Sequence, residues 1–349
     1  MSISAFDHPF LSGLLGDEEI SAYFSVEADI RTMLAFEAAL AKAEARHDVI
    51  PQAAAQRIAQ VCPAFQPDIA SLKSATAIDG VVIPDLVEQL RQAVGGEAGQ
   101  HVHFGATSQD VIDSSLMIRL KGVCRLLSER LSAIDDLLQT LDAQFGHGSL
   151  TGYTRMQEAF AITVSDRLRS WSAPLTRHRE RLANVTFAVQ FGGAVGTLDK
   201  LGEKGSAVRA SLAQELDLSD EPQWHSQRGR VADLAGLFSQ ITGSFGKIGQ
   251  DIALMAQTGT EITLSGGGTS SAMAHKQNPV AAEALIALAR FNGVQISAIH
   301  QSLVHEQERS GAAWTLEWMV FPQMAAACGT AVRLGQQVLR NIQCIGKVD

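Results

Sequence analysis

The stretch LMIRLKGVCRLLSERLSAIDDLLQTLDAQF, residues 116–145, decides the fold class. Its apolar residues recur every three or four positions, at Leu116, Leu120, Val123, Leu127, Leu131, Ile134, Leu138, Leu141 and Phe145. This is the period of an α-helix that buries one face. A helix over this stretch would be about 45 Å long, which predicts a protein built on long helices.

Three more stretches have a similar helical period, residues 155–186, 228–264 and 279–300. Proline disrupts helix interiors, and the chain has no proline between residues 85 and 173. We therefore predict an all-α fold with a long central helix bundle. Helices of this length are too long for one compact monomer of this size. This favours packing of the bundle in an oligomer.

The first hundred residues have a different pattern, with shorter helical segments and more closely spaced prolines. The stretch AVGGEAGQ, residues 93–100, has the composition of a boundary loop. We predict a small N-terminal helical domain over residues 1–100 and the central long-helix bundle over residues 101–349.

Composition narrows the class of protein. Hydrophobic residues make up 46% and charged residues 19%, which is typical of a soluble globular chain. The net charge of −9 argues against a nucleic-acid partner, although a small anionic substrate needs only a local cationic pocket. No apolar run is long enough for a membrane span. The four cysteines form no C-x-x-C pair and no signal peptide is evident, so we expect a cytoplasmic protein.

Polar residues concentrate in three segments. They are HFGATSQDVID (residues 103–113), TGYTRMQEA (residues 151–159) and GGGTSSAMAHKQNPV (residues 266–280). The first two are expected to begin long helices, where free N–H groups and the helix dipole suit carboxylates. Simple helix capping is the alternative for both. The third is a glycine-rich loop between helices.

Other motif classes are absent from the sequence. It has no phosphate-binding P-loop, no Rossmann glycine fingerprint and no G-x-S-x-G elbow. His101 and His103 lack further ligands at metal-binding spacing. We therefore expect no metal and no nicotinamide or phosphate cofactor.

The order H-x-G-x-T-S-x-D, G-x-T-x-x-Q and G-x-S-S-x-M-x-x-K-x-N-P resembles the three signature regions of the fumarase/aspartase superfamily. Three further stretches resemble the cycloisomerases of this superfamily, which lactonise a carboxylated muconate. These are FEAALAKAEA (residues 36–45), PQWHSQRGR (residues 222–230) and HEQERSGAAWTLEW (residues 305–318). The resemblance covers nearly the whole chain.

Three features depart from the pattern of the superfamily. Its third, C-terminal helical domain is expected to be missing or reduced here, and the usual Met-Pro of the third region is Met273-Ala274. Arg155 replaces a histidine that many of these lyases use around the leaving group. A lactone carboxylate, with a pKa of about 4, leaves without protonation. A permanent cation at this position therefore favours the cycloisomerase.

The resemblance implies chemistry through a carbanion beside a carboxylate, written as an aci-carboxylate with two negative oxygens. It implies that Ser270 is the catalytic acid/base, on a mobile loop that closes over the substrate. His275 is expected to assist protonation, with a solvated loop histidine as the alternative. Lys276 and Asn278 are expected to bind the carboxylate that becomes the aci form.

Further substrate-binding residues follow from the same resemblance. Thr107 and Ser108, with their backbone amides, are expected to hold a second carboxylate, and Thr154 and Gln157 to share that role beside Arg155. A polar and cationic wall would complete the site. For its four residues a structural ion pair is the alternative; they are His103, Gln227, Arg228 and Arg309.

The resemblance also implies a homotetramer in which the three regions meet from different subunits. Two other functions stay open at this stage. One is a lyase of the adenylosuccinate or argininosuccinate type. The other is a catalytically silent homologue with a structural or interaction role.

Overall fold

The computed structural model describes residues 4–269 and 277–347. Within these ranges the fold is mainly helical, which confirms the predicted class. The helices are α1 (Ser12–Leu15), α2 (Glu18–Ala22), α3 (Val26–Arg46), α4 (Gln52–Val61), α5 (Ile69–Asp79), α6 (Ile83–Val94), α7 (Gly96–Gly99), α8 (Ser108–Phe145), α9 (Val164–Ala183), α10 (Gly205–Glu215), α11 (Gly229–Thr258), α12 (Val280–Gln301) and α13 (Gly311–Arg340). The strands are β1 (Ser149–Thr154), β2 (Gln157–Thr163), β3 (Ile262–Leu264), β4 (Gly268–Thr269), β5 (Gln277–Asn278) and β6 (Ile342–Ile345).

The long helices pack side by side in one bundle. Helix α11 contacts both α12 and α13, and α8 contacts α9 and α13. The periodic face of α8 lies in the bundle core, with Leu120, Val123 and Leu127 fully buried. Helix α8 has 38 residues, which makes it about 57 Å long. The predicted long-helix pattern is therefore confirmed for this element.

A second hydrophobic core holds the N-terminal helices together. Phe36 of α3, Ile58 of α4 and Leu90 of α6 are buried in it. Leu212 of α10 belongs to the same core, although it comes from beyond residue 100. The domain division after residue 100 stays a prediction, and the packing joins α10 to the N-terminal helices.

Among the described residues, two prolines lie in helix interiors beyond the first turn, Pro174 in α9 and Pro322 in α13. Helical period therefore continues across Pro174, as the pattern over residues 155–186 predicts, and the proline does not end the helix. Each proline removes one backbone hydrogen bond, but its neighbours are buried in the bundle core, as Phe321 and Met324 are beside Pro322. Tertiary packing, which supplies most helix stability in proteins, keeps α13 continuous.

The helical prediction for residues 155–186 is wrong at its start. Helix α9 begins at Val164, where Thr163 and Asp166 form a reciprocal capping box. The residues before it form the antiparallel hairpin β1–β2, in which Ser149 pairs with Thr163. The capping box fixes the helix start and leaves the second polar segment outside the helix.

Two more antiparallel pairs lie at the end of the bundle where α11 and α13 finish. Strand β3 pairs with β6, with Ile262 opposite Ile345. Strand β4 pairs with β5, with Gly268 opposite Asn278. Within the described ranges, none of the helices has the length and apolar character to cross a membrane.

Candidate active site

Asp110 organises the start of α8. Its fully buried carboxylate accepts the backbone N–H of Thr107 at 3.0 Å, and those of Gly192 at 2.9 Å and Gly193 at 3.0 Å. His225 Nε2 lies 2.8 Å from the same carboxylate. The Thr107 amide is thus engaged within the chain, which corrects the expectation that it binds substrate. The Thr107 hydroxyl and the first helical residue, Ser108, are what this segment offers a ligand.

Arg309 comes to the same point from the segment before α13. Its Nη1 donates to Thr107 Oγ1 at 2.5 Å. Ser108 and Arg309 line a cleft of 710 Å³ together with Trp314 and Trp318. The structure therefore brings the first polar segment together with Arg309, a residue of the predicted wall, and places an exposed guanidinium beside a helix N-terminus. Both features attract carboxylates.

His103 lies just before this helix start, in a left-handed backbone conformation with φ of 63°. Its Nδ1 is 2.7 Å from Glu37 Oε1, and the Glu37 side chain is 1% exposed. Glu37 was not singled out from the sequence. The available signal was a glutamate between the apolar residues Phe36 and Leu40, on the buried face of α3.

Arg228 is inside the bundle, not on an exposed wall. It is 1% exposed, and its guanidinium donates to Asp113 of α8 at 2.6 Å and to Glu317 of α13 at 2.6 Å. It also stacks over Trp224. Burial alone would lower the pKa of Arg228, but these two carboxylates raise it overall. The geometry corrects the wall expectation for Arg228 and favours the structural ion pair, whereas the neighbouring Gln227 is exposed.

The second polar segment is an exposed hairpin turn. Thr154 pairs with Gln157 across it, and Arg155 and Met156 form the turn with φ of 49° and 64°. All four residues are exposed. These side chains therefore do not lie at a helix N-terminus, which corrects the expectation. They project on a strand pair whose base is held by the Thr151 amide, which donates to Glu261 Oε1 at 2.7 Å.

The third segment is described on both sides of its centre. Ser270, His275 and Lys276 lie outside the described residues. Asn278, on β5, lines a cleft of 590 Å³ together with the glycines before it. Strands β4 and β5 thus bring the two ends of this segment side by side.

The glycines here have a second role besides conformational freedom. Gly266 has φ of 70°, a left-handed conformation that favours glycine. A Cβ on Gly267 would lie 2.8 Å from Gln277 Cβ, and one on Gly268 would lie 2.6 Å from Val280 Cγ2. Close approach between the two ends of the segment therefore requires glycine at both positions.

The first and third segments lie at opposite ends of α13. The contact between Arg309 and Thr107 is just before its first residue. Asn341, just after its last residue, accepts the backbone N–H of Ser265 at 2.8 Å. The helix has 30 residues, so about 45 Å separate these contacts. The hairpin base at Glu261 precedes β3 directly and lies at the same end as the third segment.

Comparisons with known proteins identify the family to which this chain belongs. Residues 15–291 match the family model described as Lyase. The chain is 37% identical to 3-carboxy-cis,cis-muconate cycloisomerase of Pseudomonas aeruginosa, over 92% of this chain and 72% of that protein. The enzyme of the same name from Bradyrhizobium diazoefficiens is also 37% identical, over 90% and 72%.

A solved structure gives the same result at the level of the fold. The crystal structure of 3-carboxy-cis,cis-muconate lactonizing enzyme from Pseudomonas putida superposes with a TM-score of 0.90 and 33% identity. The match covers 96% of this chain and 77% of that one. With the helix bundle, the three polar segments and the family match together, this chain is a member of the lyase family and an enzyme of the fumarase/aspartase superfamily.

Proposed function

We propose that the protein lactonises 3-carboxy-cis,cis-muconate to a carboxymuconolactone, a step of protocatechuate degradation. The observation that carries this proposal is the contact between Arg309 and Thr107, which joins a cation to a helix N-terminus in the cleft. A tricarboxylate substrate suits such a cleft. The names and the coverage of the relatives support the same reaction.

In this reaction a substrate carboxylate oxygen bonds to the far carbon of a conjugated double bond. The electron pair moves to the carbon beside another carboxylate and gives the aci form, and a proton then completes the lactone. We assign delivery of that proton to Ser270, with His275 assisting. Lys276 and Asn278 hold the aci oxygens, where positive charge and donors stabilise the developing charge.

The remaining carboxylates are assigned to the opposite wall of the site. Thr107 and Ser108 bind one through their side chains at the start of α8, with Arg309 beside them. His103 and Gln227 complete this wall, and Thr154, Arg155 and Gln157 contribute from the hairpin. Arg155 is a permanent cation that balances substrate charge, since a carboxylate nucleophile needs no base at neutral pH.

The site is assembled from different subunits of a homotetramer. The distance of about 45 Å along α13 between the first and third segments supports this part of the proposal, because both must contact one small substrate. Tyr153, Met156 and Phe160 also leave large apolar surface exposed on the hairpin, as expected where another subunit packs. The unpaired cysteines support a cytoplasmic setting.

An ultraviolet assay tests the function directly, because lactonisation removes the conjugated diene of the substrate. We expect the purified protein to remove this absorbance and to leave adenylosuccinate and argininosuccinate intact. Cleavage of either succinyl compound without any loss of diene absorbance would replace the proposal with the lyase alternative.

A further inference from the structure

The bond between His103 and Glu37 is unusual in its burial. The Glu37 side chain is 1% exposed and the His103 side chain 13% exposed, with Nδ1 and Oε1 2.7 Å apart. An ionised carboxylate can only accept hydrogen bonds, so Nδ1 is the donating nitrogen. The other ring nitrogen, Nε2, is then left for a ligand, and it can donate to a carboxylate when it also carries a hydrogen.

The backbone at His103 adds to this picture. A φ of 63° is uncommon for a residue with a side chain and persists where the surroundings hold it. Just beyond it, the Thr107 backbone is tied to Asp110. The loop between α7 and α8 is therefore held at two points, one of them through the His103 ring itself.

The charge on Glu37 affects two other buried groups. Glu44, two helical turns further along α3, is fully buried, and neither of its oxygens has a hydrogen-bond partner among the described residues. Burial first, and the Glu37 charge second, raise the pKa of Glu44 to about 9. The same two causes raise the pKa of the Cys62 thiol to about 12. Both groups are neutral at pH 7, and of the three side chains Glu37 is the one whose carboxylate contacts His103.

We propose that Glu37 is a positioning residue that orients the His103 ring, so that Nδ1–H donates to Glu37 while Nε2–H is presented to a substrate carboxylate. This inference rests on the proposed function, in which His103 contacts the substrate. Loss of the partner that orients a metal-binding histidine commonly lowers metal affinity or activity by about 10- to 100-fold. We expect an effect of similar size when Glu37 is replaced.

The test compares Glu37→Met with Glu37→Gln. Methionine fills the space but accepts no comparable hydrogen bond, whereas the glutamine oxygen still accepts from Nδ1. We expect Glu37→Met to lower kcat/KM by about 10- to 100-fold, mainly through a higher KM. Glu37→Gln should recover at least a third of the loss in the logarithm of kcat/KM. Glu44→Gln is the matched control, since it is equally buried on the same helix, and should stay within twofold of the wild type.

A double-mutant cycle separates positioning from a packing defect. If Glu37 acts through His103, then Glu37→Met should change kcat/KM by less than about twofold in a His103→Ala background. An equal loss in both backgrounds, or a loss of kcat at unchanged KM, would overturn the inference. So would wild-type kinetics for Glu37→Met.

The outcome is distinguishable from failure of the proposed function. Wild-type turnover of carboxymuconate tests the proposed function, whereas the ratio of kcat/KM between variant and wild type tests the role of Glu37. If the wild type instead cleaves a succinyl compound, the same ratios are measured on that substrate, and the expected pattern would still support Glu37. A wild type with no turnover of any of them overturns both.

Discussion

Arg309 and Thr107 are 202 positions apart in sequence, yet Arg309 Nη1 and Thr107 Oγ1 lie 2.5 Å apart in the fold. The pair places a cation from the segment before α13 over the N-terminus of α8. Two sources of positive potential thereby share one cleft, and a carboxylate bound there would contact both.

Arg309→Met should therefore raise KM for carboxymuconate by about 10- to 100-fold with little loss of kcat, because a hydrogen bond to a charged group is worth about 1.5–3 kcal/mol. Initial rates from the ultraviolet assay measure this. Arg209→Met is the control, since Arg209 pairs with Asp220 away from the cleft. An unchanged KM in Arg309→Met would remove Arg309 from the binding site.

Ser270→Ala should leave the helical fold intact and lower kcat by about 10² to 10⁴, the usual effect of losing a positioned proton-transfer group. Circular dichroism and the ultraviolet assay on one preparation measure both properties. Activity within about threefold of the wild type would show that another group transfers the proton.

Arg228→Met should act on stability more than on substrate binding. It leaves Asp113 and Glu317 as buried carboxylates without their cation, which typically costs about 3–5 kcal/mol. Urea unfolding at one fixed protein concentration measures this. Arg230→Met is the matched control, because Arg230 also stacks on Trp224 but pairs with Glu221 nearer the surface, and we expect a loss of about 1 kcal/mol or less. A stable Arg228→Met protein with only a raised KM would restore Arg228 to the substrate wall.

Mixed assemblies of the proposed homotetramer should test whether the active site is shared between subunits. Ser270→Ala and Thr107→Val proteins, each expected to have lost most of its activity, are unfolded and reassembled together. Some sites then contain neither lesion, so part of the wild-type activity should return. A confirmed mixture that stays as inactive as its parents would mean that both residues serve a site within one chain.

Glu44 should make stability depend on pH. Its folded pKa is raised to about 9, above the ordinary value of 4.5, so the unfolded chain loses this proton at lower pH than the folded one. The free energy of unfolding should therefore fall as pH rises between about 4.5 and 9, by up to about 1.4 kcal/mol per pH unit from this group. Urea unfolding of the wild type and Glu44→Gln at pH 6 and pH 8 compares the two slopes. Equal slopes would show that Glu44 ionises in the folded protein.

Parts of the fold and site follow from the sequence because their signals are local. The spacing of Leu120, Val123 and Leu127 predicts a buried helix face, and the structure has one. The polar segment at Thr107 does begin a helix. The segment at Thr154 does not begin a helix, because it forms a hairpin. Large apolar residues of this hairpin, such as Phe160, are exposed, so their spacing in the sequence does not report a buried helix face.

The sequence by itself determined the helical class and the superfamily, because helical period and signature motifs are encoded in residues that are neighbours along the chain. Only the tertiary structure decided which charges are buried. Arg228 meets Asp113, 115 positions away, and Glu317, 89 positions away, and Glu37 meets His103, 66 positions away. Such pairings depend on how helices pack across the core. Burial makes an unpaired charge too costly to tolerate, so each buried charge needs a partner that is distant in the sequence. No local pattern could therefore distinguish a substrate-binding cation from a structural one.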